Sequence, residues 1–182
     1  MGVGVDTGIP LEICTTRLRL RAFREDDASF VLQLMNEPAF HRFIGDRGIR
    51  SMEDAQRYLR DGPIASYGQH GHGLLHVSLV NCATPVGMCG LVRRDSLPGP
   101  DIGFALLQAH ENQGYATEAA LAVLDHAQNT LRLPAVYGIT QPDNYRSMRT
   151  LEKLGLRLLE CRQVTDDGPK LNVFIRKFEV VS

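Results

Sequence analysis

Apolar and polar positions in the first part of the chain predict one strand followed by two short helices. Residues 16–23 alternate basic and apolar side chains, which is the pattern of a half-buried strand. Apolar residues at helical spacing follow around residues 30–35, and Pro38 is expected to end that helix. A capping box at residues 51–54 predicts the start of a second helix, which should end at the Gly-Pro pair of residues 62–63.

From residue 74 onward the pattern changes to strands, interrupted by two strong helices. Residues 74–80, 86–92 and 101–107 are predicted to form an antiparallel meander. The best helical pattern of the chain covers residues 116–130. The remaining predicted elements are a strand at 135–140, a helix at 144–154 that Gly155 ends, and strands at 156–165 and 170–179 across an Asp-Asp-Gly turn.

This order of elements predicts a single mixed α/β (α+β) domain over residues 1–182, with residues 1–10 as a loose lead-in. The predicted sheet is mostly antiparallel, with about six to seven strands and about four flanking helices.

Composition and charge exclude several classes of protein. The chain carries 20 basic and 21 acidic side chains, a formal net charge of −1, so no overall positive field attracts nucleic acid or an anionic membrane. Its apolar runs are far shorter than the roughly 20 residues that cross a bilayer, and the N-terminus has no signal-peptide pattern. We therefore expect a cytoplasmic protein, monomeric or homodimeric, that binds neither nucleic acid nor membrane.

Neither the cysteines nor the histidines have metal-ligand spacing. The four cysteines are scattered along the chain, and we predict that they are reduced residues filling small apolar sites. His70, His72 and His76 lie close together in sequence but have no acidic or cysteine partner near them. No metal site is predicted.

Two strand-to-helix junctions carry the first chemical signal. Gly114 precedes the helix at 116–130, and a helix N-terminus offers unpaired N–H groups to an anion that glycine lets approach the backbone. Asn144 opens the next helix, with Ser147 three residues later. Each junction could be an ordinary helix cap. Two in succession would nevertheless lie at one edge of the sheet, where α/β folds bind ligands.

Four segments around these positions resemble the GNAT superfamily of N-acetyltransferases, and within it the branch that acetylates α-amino groups of ribosomal proteins (RimJ/RimL-like). They are Arg17-Leu18-Arg19-Leu20-Arg21 with Asp26-Asp27, Asp101-Ile102-Gly103-Phe104, Gly114-Tyr115-Ala116-Thr117-Glu118-Ala119, and Asn144-Tyr145-Arg146-Ser147 leading into Leu151-Glu152-Lys153-Leu154-Gly155-Leu156. The resemblance covers nearly the whole chain. It implies a sheet that splays between its fourth and fifth strands, with acetyl-coenzyme A (acetyl-CoA) as cosubstrate and an amine as acceptor.

The resemblance also implies a place for each part of the cosubstrate. The strand at 104–107 would pair its backbone with the pantetheine arm and polarise the thioester carbonyl. The loop into the helix at 116–130 would cradle the pyrophosphate, and Asn144 would reach the pantetheine. The implied cofactor-binding residues are Phe104, Leu106, Leu107, Asn112, Gln113, Gly114, Tyr115, Ala116, Thr117, Asn144 and Ser147.

Two details of this region are not settled by the resemblance. Family members carry glutamine or arginine, and then glycine, where this chain has Ala109 and Asn112, although asparagine adopts left-handed backbone angles almost as glycine does. Arg146, Arg149 and Lys153 share one helix face. They either meet the 3′-phosphate of the cosubstrate or form a solvated face.

Acetyl transfer needs a neutral amine and a thiolate that can leave. An α-amino group, with a pKa near 7.7 to 8.0, is about one-tenth neutral at pH 7, so a weak base suffices, and a thiol of pKa about 8.5 leaves without an obligatory acid. Leu151 stands where many family members have a tyrosine acid, so Ser147 is the suggested proton donor, with helix capping as the alternative. Asp101, acting through water, is the first candidate base. Glu118 and His76 are weaker candidates, and each of the three also has a purely structural explanation.

The leading interpretation is an N-acetyltransferase that moves an acetyl group to a primary amine by direct attack in a ternary complex, with a peptide or protein α-amino group favoured. The alternatives are a small-molecule acceptor (an amino acid, a polyamine or an antibiotic) and a catalytically silent CoA-binding sensor. Acceptor identity is expected to depend on the first two helices and on residues 40–50. The arginines of that segment suit a carboxylate-bearing acceptor or a plain surface loop.

Overall fold

Eight strands form one sheet in the computed structural model, which describes residues 12–165 and 168–179. The strands are β1 Glu12–Cys14, β2 Leu18–Ala22, β3 Leu74–Leu79, β4 Pro85–Val92, β5 Asp101–Leu106, β6 Ala135–Thr140, β7 Arg157–Gln163 and β8 Lys170–Lys177. Their order in the sheet is β1-β2-β3-β4-β5-β6-β8-β7. Only β5 and β6 run parallel among these neighbours, so the predicted mixed, mostly antiparallel sheet is confirmed.

The short strand β1 is the one strand that the sequence pattern did not predict. It pairs with β2 over three residues, Glu12 opposite Arg21 at one end and Cys14 opposite Arg19 at the other. The predicted lead-in at residues 1–10 and the two aspartates of the predicted Asp-Asp-Gly turn lie outside the described residues.

The sheet opens between β5 and β6. Asp101 opposite Tyr137 is the single registered pair between these strands, whereas β4 follows β5 along its whole length. The N–H of Tyr137 donates to the carbonyl of Pro100 at 3.0 Å and closes the narrow end of the opening. These two strands are the predicted fourth and fifth, so the splay lies where the resemblance implied.

Six α-helices accompany the sheet in the described part of the chain: α1 Ala28–Met35, α2 Pro38–Phe43, α3 Met52–Leu59, α4 Ala65–His70, α5 Tyr115–Asn129 and α6 Tyr145–Lys153. Two of them correct the prediction, and both corrections concern proline. Pro38 begins α2 rather than only ending α1, because the first helical position needs no N–H and suits the fixed φ of proline.

The helix that starts at Ser51 also continues past Gly62 and Pro63. A π-type turn at Arg60–Ile64 joins α3 to α4, and the N–H of Ala65 reaches back to the carbonyl of Arg60. The wider turn accommodates the proline, which would clash with a carbonyl in regular α-helical geometry. The capping box itself is confirmed, since Ser51 and Asp54 bond reciprocally to each other's backbone.

The helices cover both faces of the sheet. The buried residues of α5 and α6 pack with Leu18, Leu75 and Ile102 in one core. Those of α1 and α3 pack with Met88 and Leu107 in a second core on the other face. Side chains of a strand alternate between the two faces, so Phe104 belongs to the α5 side of β5 and Ala105 to the α1 side.

The cysteines correct a further prediction. All four are free, but only Cys89 is buried, and Cys14, Cys82 and Cys161 lie at the surface. Burial raises the pKa of the Cys89 thiol. Within the described ranges, none of the helices has the length and apolar character needed to span a membrane.

Candidate active site

The backbone of β5 is exposed to the opening at alternate residues. Leu107 donates its N–H to the carbonyl of Val86 on β4 at 2.9 Å, whereas the carbonyl of Pro100 points to β6. Because backbone groups of successive strand residues point to opposite sides, Phe104 and Leu106 direct their N–H and C=O groups into the opening. Of the predicted strand residues, Phe104 and Leu106 are therefore placed to pair with an extended ligand.

Leu107 is not placed in that way, which corrects its predicted cofactor contact through the backbone. Its N–H is bound to Val86, and its carbonyl accepts from His110 at 2.9 Å. Its side chain is buried in the core on the α1 face. The strand pattern extended one residue too far, because the turn at Gln108–His110 takes over at this point.

The loop that begins α5 has the geometry of an anion site. Asn112 and Gly114 both have positive φ angles, 60° and 80°. Asn112 thus adopts a left-handed conformation, as glycine readily does. Gly114 is the N-cap of α5 and supplies no side-chain hydrogen bond. The N–H groups of Tyr115, Ala116 and Thr117 precede the first intrahelical bond, which Glu118 donates to Gly114 at 3.0 Å, and so face outward without a helical acceptor.

Gln113 turns inward on its own loop. Its side-chain amide donates to the carbonyl of Ala109 at 3.3 Å, and its own carbonyl accepts from Arg17 at 2.9 Å. Its predicted contribution to a phosphate site is therefore through the backbone N–H rather than through the side chain.

Asn144 caps α6 through its side-chain oxygen and still has its side-chain N–H₂ group available. Its Oδ1 accepts from the N–H of Ser147 at 3.1 Å, which is the capping arrangement considered for this pair. Among the described residues, the amide N–H₂ of Asn144 has no hydrogen-bond acceptor, and neither does the hydroxyl of Ser147. Both groups are half-buried and lie at the start of α6, which follows β6 directly.

Leu151 and Arg146 are both committed to other contacts. Leu151 is buried and lies so close to Gly138 that a Cβ added there would come within 2.7 Å of it. It therefore offers a core side chain at the position where the resemblance would place a tyrosine acid. Arg146 forms an ion pair with Glu111 of the loop before α5, whereas Arg149 and Lys153 are exposed.

Asp101 lies at the closed end of the opening. It is 2 % exposed, and its Oδ1 accepts from Nε of Arg94 at 2.8 Å. Burial raises the pKa of this carboxyl above its ordinary value in spite of the nearby guanidinium. Asp101 is thus a buried carboxyl at the closed end of the opening whose affinity for a proton is increased.

Of the two weaker base candidates, Glu118 already accepts hydrogen bonds and His76 lies far from the opening. Glu118 accepts from Thr15 Oγ1 at 2.6 Å and from Arg17 N at 3.0 Å. Burial pushes its pKa upward, but the hydrogen bonds from Thr15 and Arg17 outweigh burial and hold the pKa below its ordinary value. His76 lies on β3, two strands and roughly 10 Å away from β5.

The segment expected to contact the acceptor is bonded to the loop that follows β6. The side chain of Gln141, just after β6, donates to the carbonyls of Arg42 at 3.0 Å and Phe43 at 3.4 Å. Asp143 lies 3.7 Å from Arg42. The end of α2 is therefore attached to the loop that carries Asn144, and the structure brings these predicted regions together.

A cavity of about 400 Å³ lies beside this segment. It is lined by Arg47, Gly48, Ile49, Asp54, Arg57, Tyr58, Asp61 and Gly62. Burial raises the pKa of Tyr58, while the charges of Arg47 and Arg94 act against that rise. Tyr58, in the wall of this cavity, thus lies within electrostatic range of Arg94, the partner of Asp101.

The histidines that invited a metal interpretation form no such cluster. The rings of His70 and His72 stack 5.9 Å apart. In the portions of the chain described, no group of three or more His, Cys, Asp and Glu side chains could hold a metal ion.

Comparisons with known proteins agree with this geometry. The model of the acetyltransferase (GNAT) domain matches residues 17–157. YkkB of Bacillus subtilis, an uncharacterized protein, is 26 % identical over 148 residues, which are 80 % of this chain and 84 % of the relative. YnaD of the same organism, an uncharacterized N-acetyltransferase, is 25 % identical over 147 residues, 81 % of this chain and 83 % of the relative.

Two solved structures share the fold. The acetyltransferase of Agrobacterium tumefaciens superposes with a TM-score of 0.79 and 26 % identity, over 98 % of this chain and 100 % of its own. RimL, a ribosomal L7/L12 α-N-protein acetyltransferase solved with coenzyme A, gives a TM-score of 0.80 at 18 % identity, over 91 % of this chain and 97 % of its own. The match to the domain model extends over well more than half of the chain, from the residue before β2 to the first residue of β7. The protein belongs to the GNAT family of acetyltransferases.

Proposed function

We propose that the protein moves the acetyl group of acetyl-CoA to a primary amine, with the α-amino group of a peptide or protein as the favoured acceptor. The observation that carries the proposal is the opening between β5 and β6, which has unpaired strand backbone on one side and the uncapped start of α5 at its wide end. An extended amide-containing arm fits the former and a pyrophosphate fits the latter. RimL, which has the same fold, was solved with coenzyme A.

This geometry supports the following contacts with the cosubstrate. Phe104 and Leu106 would pair with the amides of the pantetheine arm. The N–H groups at the start of α5, with those of the loop at 112–114, would bind the pyrophosphate. The free side-chain N–H₂ of Asn144 would donate to the arm from the β6 side. Acetyl-CoA itself supplies the thioester whose carbonyl carbon the amine attacks.

The residues for proton transfer are Ser147 and Asp101. Ser147 has a free hydroxyl beside Asn144 and is the proposed donor to the departing thiolate. Asp101 is the proposed acceptor of the amine proton through water. Its raised pKa makes the carboxylate a stronger base, although an α-amino group that is already about one-tenth neutral at pH 7 requires little help.

The acceptor would enter beneath residues 40–50. The bonds from Gln141 to Arg42 and Phe43 attach this segment to the loop that follows β6, and a cavity lies beside it. One observation favours a second candidate function. The buried Leu151, at the position where the resemblance implies a tyrosine acid, together with the ion-paired Asp101 and Glu118, would suit a CoA-binding sensor without turnover.

Thiol release from acetyl-CoA separates these functions. The acceptors should include a peptide with a free N-terminus, the same peptide blocked at its N-terminus but carrying a lysine, a free amino acid and a polyamine. We expect turnover with the unblocked peptide and at least tenfold less with the blocked one. Turnover with the small amines alone would mean that the acceptor is a small molecule rather than a peptide. Binding of acetyl-CoA without turnover on any amine would mean that the protein is a CoA-binding sensor.

A further inference from the structure

Arg17 joins the beginning of the first long strand to the loop that starts α5. Its Nε donates to Oε2 of Glu118 at 2.6 Å, and its Nη1 donates to the carbonyl of Gln113 at 2.9 Å. Its guanidinium lies 4.7 Å from the centroid of the Tyr115 ring. One side chain therefore contacts two members of the predicted phosphate loop and Glu118 in the first turn of α5, about 100 residues away along the chain.

The contact is centred on Gly114. A Cβ built on this residue would lie 3.3 Å from Nη2 of Arg17. The loop has left-handed conformations at Asn112 and Gly114, which a flexible segment would hold only part of the time. A planar guanidinium that bonds the carbonyl between them restrains both. Arg17 thus keeps the loop in the conformation whose N–H groups face outward.

Arg17 also changes the electrostatics of the helix start. Glu118 lies in the first turn of α5, so its charge would repel any phosphate bound at the same N-terminus. The ion pair with Arg17, at 2.6 Å, offsets that charge. Three of the five N–H donors of a guanidinium are used in these bonds, and two remain.

We propose that Arg17 is a positioning residue for the pyrophosphate of acetyl-CoA, which it serves by fixing the Gln113 to Tyr115 backbone and offsetting the charge of Glu118. The inference rests on the proposed function. Nothing in the local pattern singled this residue out, because it opens a strand in which basic residues alternate with apolar ones.

Arg19, which lies within β2 two residues after Arg17, provides a matched control. Its side chain is 48 % exposed, against 45 % for Arg17, and it also forms an ion pair, with Glu12 at 2.9 Å. Arg19 has no hydrogen bond to the α5 loop in the described structure. Replacing either arginine removes one charge and one carboxylate partner, but only the Arg17 replacement touches the phosphate loop.

The test compares R17M, R17K and R19M with the unaltered protein. Calorimetric titration with acetyl-CoA should show about 10- to 100-fold weaker binding for R17M, a smaller loss for R17K, and less than twofold change for R19M. Acetyl-pantetheine lacks the phosphates. Its kcat/KM as donor should therefore stay within about twofold for every variant, whereas kcat/KM with acetyl-CoA should fall for R17M in parallel with affinity.

Hydrogen exchange of the ligand-free proteins gives a readout that does not depend on the cosubstrate. The amide of Glu118, which bonds to the carbonyl of Gly114, should exchange faster in R17M than in R19M, while the amides of β3 and β4 stay protected. Wild-type acetyl-CoA affinity in R17M, or equal losses with acetyl-CoA and acetyl-pantetheine, would overturn the inference. If R17M does not fold, R17K decides by the same criteria. If the unaltered protein does not bind acetyl-CoA, the proposed function fails, and with it the inference that rests on that function.

Discussion

When the pH is lowered from 7.5 to 5, the titration of His76 should reduce the free energy of unfolding by about 2 kcal/mol. This imidazole is 3 % exposed and lies edge-on against two aromatic rings, with centroids 5.7 Å from Phe23 and 5.0 Å from Phe30. Its Nδ1 has no hydrogen-bond partner among the described residues. Burial, with a further contribution from the charge of Arg21, lowers the pKa of His76 from 6.5 to about 4.

The sign follows from proton binding in the two states. The unfolded chain takes up a proton near pH 6.5, whereas the folded protein takes it up only near pH 4, so the unfolded state binds more protons between these values. The free energy of unfolding therefore falls as the pH falls through this window, by at most about 1.4 kcal/mol for each pH unit. At pH 5 the loss is about 2 kcal/mol relative to pH 7.5.

Urea unfolding at several pH values between 7.5 and 5 measures this loss. The substitution H76L keeps an apolar side chain of similar size between the two phenylalanines and removes the titrating group. Over the same pH range, the free energy of unfolding of the variant should fall by about 2 kcal/mol less than that of the wild type. H70Q, which removes an imidazole from the surface, serves as the control and should follow the wild type. A pH dependence in H76L equal to that of the wild type would refute the reasoning.

Three further substitutions, with G103A as a control for one of them, test the geometry of the sheet and of the helix starts. In G114A, the φ of 80° is strained for alanine and the new Cβ would lie 3.3 Å from a guanidinium nitrogen, so calorimetry should show at least tenfold weaker acetyl-CoA binding. In G87A, the Cβ would meet a β5 carbonyl oxygen at 2.3 Å, and urea unfolding should show a loss of about 1–3 kcal/mol. The control is G103A, in which the added Cβ would meet side chains no closer than 3.5 Å, and its loss of stability should be clearly smaller. In N144D, the carboxylate still accepts from Ser147 and preserves the cap, but the free N–H₂ is lost. Its thermal midpoint should therefore be retained while acetyl-CoA binds more weakly, and wild-type affinity would remove Asn144 from the proposed site.

The sequence predicted the second half of the fold more accurately than the first. The strand β6 was predicted without error at 135–140, and α5 was displaced by a single residue, because long periodic patterns and glycines define these elements locally. The regions around Pro38 and Pro63 were predicted less well. Whether a proline ends a helix, begins one or lies in a wide turn depends on the packing of α1 and α3, which local sequence does not reveal.

The same limit applies to the candidate site. Gly114 and Asn144 could be found because a helix start is a local signal. Arg17 and Gln141 could not, because their partners Gln113 and Arg42 lie almost 100 residues away along the chain. The alternating pattern around Arg17 indicates a strand but does not indicate which loop a particular arginine contacts.

A crystal structure of the protein grown with coenzyme A and an unblocked peptide tests the central claim most directly. The account predicts pantetheine amides bonded to the backbone of Phe104 and Leu106, pyrophosphate oxygens within hydrogen-bond distance of the N–H groups at the start of α5, and the peptide amine on the Asp101 side of the opening. Coenzyme A bound elsewhere, or an amine held away from the thiol beside a different pair of strands, would contradict it.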